Sequence, residues 1–348
     1  ISLQTTTAAA AVVPIYRNRD FMFLWIAQAI SQIAQNAINF GLLVLVQVRT
    51  NSTTHMAVAV LSFILPGVIF GILAGVFVDR AQKKSVLLIT NLLRAVVVLG
   101  YLIFDQSIGL IYLVTFVFSI ISQFFAPAEA AAIPMLLPKD QLISANSLFN
   151  LTFNMAQLIG MVMVAPLVIK LFGTGALFAS IAVLYVIAGA LVAKLPPDVR
   201  PPATLSPTEG QRMVAKVWYD VTEGWHILTA DVTSALAMAH LTLASTMMPL
   251  VAVLGHNFVV NEVKLSSEDV AYVFFPAGVG MLSGTVITTR LAQRFGKGPL
   301  VQVGLGAMAV ALFGIAGARV GRDYLLYNIL DRFIEVDGLP VSFELLSV

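Results

Sequence analysis

Four charged residues lie within six positions of a sequence that carries almost no charge on either side of them. They are Asp79, Arg80, Lys83 and Lys84, and the apolar runs 56–78 and 85–104 flank them. Each run is long enough to cross a bilayer as a helix, whereas a cluster of charges cannot lie in hydrocarbon. The sequence therefore predicts two spanning helices joined by a tight hairpin at a water interface.

The composition also favours a membrane protein. Hydrophobic residues make up 59% of the chain and charged residues 11%, and the mean hydropathy is +0.91, which excludes a soluble domain. The predicted class is an all-α polytopic protein embedded in the lipid bilayer. The net charge of +2 is too small to indicate a nucleic-acid partner. The sequence lacks cysteine and shows no nucleophile–base set, metal-ligand cluster or phosphate loop, so we expect no enzyme activity, metal or cofactor.

The charged hairpin resembles motif A of the major facilitator superfamily, in which a glycine is followed, after three residues, by Asp-Arg and then by further basic residues. The matching positions are held by Gly75, Asp79, Arg80, Lys83 and Lys84. Ala81 and Gln82 stand where the loop glycine is expected. A second stretch, 125–147, resembles the connection between helices four and five in the branch of that superfamily that contains the enterobactin exporter and related bacterial drug exporters.

Three prolines, at positions 127, 134 and 138, follow the predicted fourth span, 108–126. Proline removes a helical hydrogen bond and disfavours helix in the residue before it. We therefore expect the fourth helix to end near residue 126, in a rigid elbow at the membrane interface.

Nine apolar stretches are long enough to span the membrane. Six of them predict a complete N-terminal bundle over residues 1–194. The polar interval 195–233 opens with paired prolines and is predicted to be a cytoplasmic linker that contains an amphipathic surface helix. Three more stretches predict a partial C-terminal bundle over 234–319, and charges in the tail, 320–348, exclude a tenth span.

The distribution of basic residues predicts the orientation. Lys and Arg are concentrated in the N-terminal segment, the motif A hairpin and the linker, which are therefore expected to face the cytoplasm. The expected location is the bacterial inner membrane, as a monomer. Because the chain begins at Ile1 and its second bundle lacks helices, we also expect it to be a truncated fragment of a major facilitator protein.

Polar side chains form stripes on two predicted spans. They recur at steps of three and four residues in the first span, 21–48, and in the fifth, 143–171, so each set occupies one helix face. Such side chains either hydrogen-bond a neighbouring helix or line a cavity, and the sequence leaves both open. The candidate substrate-cavity residues are Gln28, Gln32, Gln35, Asn36, Asn39, Asn150, Asn154 and Gln157.

Arg94 lies nine residues inside the third predicted span, 85–104. A charge at this depth should face the bundle, and Asp79 is the acid nearest to it in depth. Two interpretations stay open: a structural ion pair, for which Asp79 is the candidate partner, or a role in substrate binding or proton relay.

The resemblance implies a secondary active transporter that exports amphipathic small molecules, of drug or siderophore type, by alternating access. It also implies protons as the coupling ion, although no clear intramembrane acid appears in the predicted spans. Motif A would act as a conformational latch, with Asp79 as its key residue. The alternative is an inactive fragment or a membrane partner protein that does not transport.

Overall fold

The computed structural model describes residues 15–197, 231–261 and 297–325, together with residues 219, 222–224, 276, 280, 283–284, 287–288, 291 and 294. The chain divides into two compact units, Ile1–Leu282 and Ser283–Val348. Most of the predicted linker, most of the predicted span 270–289 and the tail beyond residue 325 lie outside the described residues. The described part is helical, as the sequence predicts.

The helices follow the apolar runs closely. In the first unit they are α1 (Arg19–Thr50), α2 (Thr53–Arg80), α3 (Lys83–Ile103), α4 (Ile108–Leu136), α5 (Leu142–Gln157), α6 (Ala165–Ala193) and α7 (Val232–Asn261). A π-helical stretch, Leu158–Val164, joins α5 to α6. The second unit contains α8 (Lys297–Leu325).

Five helical runs within the described residues are long and apolar enough to cross a membrane. They are Arg19–Thr50, Thr53–Arg80, Lys83–Ile103, Ile108–Leu136 and Lys139–Ala193. The last run has 55 residues, and Gly173 interrupts its helical backbone with φ 84° and ψ 170°. The parts on either side each reach the ~20 residues that one crossing needs. This break lies just after the end of the fifth predicted span, 143–171.

Asn18 positions the start of α1. Its side-chain oxygen accepts a hydrogen bond from the Phe21 amide at 3.1 Å, which caps an otherwise unsatisfied N–H group. Its side-chain nitrogen donates to the Leu136 carbonyl oxygen at 2.8 Å. The same side chain thus ties the beginning of α1 to the end of α4.

The hairpin between α2 and α3 contains only Ala81 and Gln82. Their φ angles are −84° and −69°, within the range of ordinary L-amino acids. The backbone therefore turns here without the glycine of motif A, and the predicted tight hairpin is present.

The prediction that the fourth helix ends near residue 126 is wrong. Helix α4 continues through Pro127 and Pro134 and ends at Leu136. Each internal proline leaves a carbonyl without its usual donor, but the turns that follow Pro127 bury side chains against the rest of the bundle, and this packing offsets the loss. The buried side chains of this part of α4 are Phe125, Ala128, Glu129, Ala132 and Ile133.

The π-helical stretch has a local cause in Pro166. In an α-helix the amide at this position would donate to the carbonyl of Val162, and proline has no amide hydrogen. The wider register instead lets the Ala165 amide donate to the carbonyl of Gly160, five residues earlier. Such stretches often occur at functional sites.

Buried residues form two apolar clusters at opposite ends of the bundle. The first takes residues 34–46 of α1, 95–101 of α3, 111–118 of α4 and 177–185 of α6. The second takes residues 21–27 of α1, 86–87 of α3, 125–133 of α4 and 188–192 of α6. Buried polar side chains separate the two clusters, and we call them the polar layer: Gln28, Ser31, Thr90, Asn91, Arg94 and Ser119.

Candidate functional site

Hydrogen bonds between helices hold the polar layer together. The Ser31 hydroxyl of α1 donates to Asn91 Oδ1 of α3 at 2.9 Å, and Asn91 Nδ2 donates to the Leu87 carbonyl at 2.9 Å. The Ser119 hydroxyl of α4 donates to the Phe63 carbonyl of α2. In an apolar medium such bonds link helices whose apolar surfaces alone give little preference for one partner.

Arg94 is the charged member of the polar layer, and only 3% of it is exposed. Its guanidinium carbon lies 4.4 Å from the ring centre of Phe125 on α4 and 5.5 Å from that of Tyr185 on α6. One guanidinium nitrogen donates to the Ser122 carbonyl at 3.3 Å. Aromatic faces and a carbonyl dipole thus surround the positive charge.

The expectation of an ion pair between Arg94 and Asp79 is wrong. Asp79 is exposed at the end of α2, whereas Arg94 points into the bundle toward α4 and α6, and the two side chains make no ion pair. The pairing was expected only because the two residues lie at similar depths in the membrane. Depth does not set the direction in which α3 presents Arg94, because that direction depends on which helices pack beside α3.

Glu129 is a buried acid that the sequence analysis did not identify. It lies one turn after Phe125, is 8% exposed, and its Oε1 atom has no hydrogen-bond partner. The positive charge of Arg94 acts on the Glu129 carboxyl group, but the two side chains form no ion pair, that is, no nitrogen–oxygen contact within 4.0 Å. The proline pattern hides this residue, because Glu129 falls after Pro127, in the stretch expected to be an interfacial elbow. A helix that continues through both prolines would place Glu129 inside the bundle and so indicate a buried acid.

A separate cavity of about 270 Å³ lies beside the π-helical stretch. Three of the predicted cavity residues line it, namely Asn36 and Asn39 from α1 and Gln157 from the end of α5. Its remaining lining residues are Leu42, Leu43, Val60, Phe63, Ile64, Met161 and Ser245. The cavity thus combines amide and hydroxyl groups with aliphatic and aromatic surface.

Five other predicted cavity residues lie outside this lining. Gln28 belongs to the polar layer, and the Gln32 carbonyl accepts a hydrogen bond from Asn36 Nδ2 at 2.8 Å. Gln35 Oε1 accepts from the Ser122 hydroxyl at 3.5 Å, which links α1 to α4. Asn150 is exposed, and its carbonyl accepts from Asn154 Nδ2 at 2.9 Å. The stripes therefore contribute both to the cavity and to contacts within and between helices.

The motif A residues cluster at the hairpin between α2 and α3. Lys83 Nζ donates to the carbonyls of Asp79 and Ala81 at 2.7 and 2.9 Å, and Lys84 Nζ donates to the Leu195 carbonyl after α6. These ammonium groups satisfy carbonyls at helix ends, where the backbone has no donors of its own. Arg80 is half-buried.

Gly75 leaves an open patch on α2. A Cβ atom built there would meet no described atom within 4 Å. This face of α2 is therefore uncovered by the described residues, and the role of motif A as a latch stays a prediction.

Comparison with known proteins places these features in a family. The uncharacterized MFS-type transporter YkuC of Bacillus subtilis is 28% identical over 193 residues, which is 54% of this chain and 45% of that protein. Macrolide efflux protein A of Streptococcus pyogenes is 29% identical over 133 residues, which is 36% of this chain and 33% of that protein. The chain thus matches less than half the length of these relatives.

A solved structure, the in meso crystal structure of the POT family transporter PepTSo, has a TM-score of 0.48 to this chain, at 16% identity. The match covers 82% of this chain and 56% of that one. The family model of the Major Facilitator Superfamily matches residues 24–331. Because this match covers most of the chain, which also has the membrane-spanning helices of a multi-pass protein, the chain belongs to the Major Facilitator Superfamily.

Proposed function

We propose that the chain acts as a secondary active transporter that exports amphipathic small molecules. The observation that carries the proposal is the 270 Å³ cavity, whose lining combines Asn39 and Gln157 with apolar side chains such as Phe63. Ligand pockets are typically apolar, with a few polar groups that orient the ligand. Membership of a transporter superfamily and the likeness to a macrolide efflux protein support export of a drug-like molecule.

The position of the cavity supports alternating access. Helices α1, α2 and α5 belong to the proposed N-terminal bundle, 1–194, and α7 opens the proposed second bundle, 234–319. Both groups contribute to the lining, α7 through Ser245. A transporter that rocks one bundle against another holds its substrate between them. We propose protons as the coupling ion and the enterobactin exporter branch as the chain's place in the superfamily.

Reconstitution of the whole chain tests the proposal. Purified protein in liposomes should move the amphipathic dye ethidium when a pH gradient is imposed, and a protonophore should stop the movement. Liposomes without protein measure the leak. If a folded, correctly inserted chain moves no more dye than empty liposomes, the transporter proposal fails and the non-transporting alternative is favoured.

The motif A latch predicts a specific defect for Asp79→Asn. The substitution keeps the shape but removes the charge that would interact with the positive end of a helix, worth about 1 kcal/mol. We expect roughly a fivefold loss of export, because about 1.4 kcal/mol corresponds to a factor of ten in an equilibrium. Membrane insertion should be unchanged, as measured by the yield of folded protein.

Asp140→Asn is the matched control for this substitution, since Asp140 is also exposed but lies outside motif A, in the turn before α5. It should export at the level of the unchanged chain. Equal export by both variants would argue against a latch at Asp79.

The proposed orientation predicts the outcome of cysteine labelling. The chain has no cysteine of its own, and Gln82 and Gln106 lie just before and just after α3, at opposite ends of that helix. In right-side-out vesicles, we expect an impermeant maleimide to label Gln106→Cys and to spare Gln82→Cys, because the basic hairpin faces the cytoplasm. The reverse pattern would invert the proposed topology.

A further inference from the structure

Two buried polar atoms on neighbouring helices have no hydrogen bond. They are Arg94 Nε of α3 and Glu129 Oε1 of α4, and each of the two residues is at least nine-tenths buried. Buried polar atoms in folded proteins are nearly always paired, so an unpaired group calls for a physical explanation. Here a potential donor and a potential acceptor of a strong ion pair are both present and do not pair.

The surroundings of Glu129 suit a neutral carboxyl group. An ionised carboxylate without a hydrogen bond is very unfavourable in an apolar interior. Ala128 and Ala132, which flank Glu129 on α4, belong to the second apolar cluster. Arg94, in contrast, is stabilised as a cation by two aromatic rings and the Ser122 carbonyl. The structure therefore matches a state in which Arg94 is charged and Glu129 holds a proton.

Loss of that proton would give Arg94 a stronger partner. Glu129 follows Phe125 by four residues, which is about 6 Å along the helix axis, a shift that a long arginine side chain can make by changing rotamer. An arginine–carboxylate pair with direct hydrogen bonds is stronger than contacts with neutral groups. The guanidinium would then leave Ser122.

The contact with Ser122 connects this switch to the cavity. The Ser122 hydroxyl donates to Gln35 on α1, and the next residue, Asn36, lines the cavity. Movement of Arg94 away from the Ser122 carbonyl therefore alters the junction of α4 with α1, the helix that contributes two of the four polar lining residues. Binding of a proton at Glu129 would in this way change the affinity of the cavity for substrate, and binding of substrate would change the affinity of Glu129 for a proton.

We infer that Glu129 takes up and releases the proton that drives export, and that Arg94 changes partner with each step. The O–H bond of the Glu129 carboxyl breaks, the proton passes to water, and the carboxylate pairs with Arg94; protonation returns Arg94 to Phe125 and Tyr185. This inference rests on the proposed transport function. Arg94 of α3 is the charged group that acts on Glu129, and the Tyr185 ring of α6 lies 5.5 Å from that guanidinium.

Glu129→Gln tests the inference, because glutamine has the shape of a protonated glutamate and cannot release a proton. In proteoliposomes, the variant should still exchange ethidium across the membrane without a gradient. Export driven by a pH gradient should fall to the level of empty liposomes. Asp140→Asn is the matched control and should keep both activities.

An infrared measurement makes the test independent of transport. The C=O stretch of a protonated, non-hydrogen-bonded carboxyl group should appear in pH-difference spectra of the whole chain in lipid. This band should be absent from Glu129→Gln and present in Asp140→Asn. Arg94→Lys keeps a charge without the planar group that stacks on the rings, and it should change how gradient-driven export depends on pH while exchange persists.

The outcomes separate the two proposals. Gradient-driven export by Glu129→Gln at the unchanged level would overturn the role of Glu129 and leave the transporter proposal intact. If the unchanged chain neither exports nor exchanges dye, the transporter proposal fails, and the infrared band alone decides whether Glu129 binds a proton. Absence of the band in the unchanged chain would overturn the proton site.

Discussion

Replacing Gly160 by alanine is expected to lower the thermal stability of the chain, and by much more than the replacement of Gly109 by alanine. A Cβ atom at this position would collide with the carbonyl oxygen of Ile33 and would lie 2.9 Å from Asn36 Cβ and 3.2 Å from the Ala37 nitrogen. Backbone atoms of α1 cannot move aside unless the whole helix shifts. Overpacking of this kind costs about 1–3 kcal/mol.

The helix propensity of alanine does not compensate for this collision. Alanine is more favourable than glycine in a helix by up to ~1 kcal/mol, so the net effect should still be destabilising. Thermal unfolding in detergent, followed by circular dichroism, measures the effect. Export should fall as well, because the same π-helical stretch contributes Met161 to the cavity.

Gly109→Ala is the control for the added methyl group. Gly109 lies in the first turn of α4, is exposed, and has no described atom within 4 Å of an added Cβ. Its replacement should leave the unfolding temperature unchanged or raise it slightly. If Gly160→Ala proved as stable as Gly109→Ala, the close approach of the π-helical stretch to α1 would be contradicted.

Met161→Trp should abolish export while leaving the chain folded. Met161 lines the 270 Å³ cavity, and the indole ring would occupy much of the space that a substrate needs. Because the cavity offers room for the larger ring, the cost in stability should stay below that of Gly160→Ala. Dye binding in detergent and dye export from proteoliposomes are the two measurements.

Met163→Trp provides the comparison within the same π-helical stretch. Met163 is 55% exposed on the outer surface of the helices, where a tryptophan meets lipid instead of the cavity. It should bind and export dye at the level of the unchanged chain. Equal loss in both variants would show that the stretch tolerates no large side chain, and the cavity would then lose its support as the substrate site.

The sequence determined the class of protein and the positions of most helices, since both follow from short-range rules. Apolar length sets where a helix can span, and a charge cluster such as Asp79–Lys84 sets where it must leave the membrane. The hairpin at Ala81 lies where these rules predict it. The motif A residues were likewise recognisable from their spacing alone.

Only the tertiary structure decided which polar groups meet. Helix α4 continues past Pro127 because its later turns are buried by helices distant in sequence, and this continuation brings Glu129 into the bundle. Arg94 lies on Phe125 and Tyr185, not beside Asp79, because packing directs α3 toward α4 and α6. Periodicity places an amide on a helix face, but which neighbour covers that face depends on contacts across the whole bundle. For that reason the cavity lined by Asn39 and Gln157 emerged only in three dimensions.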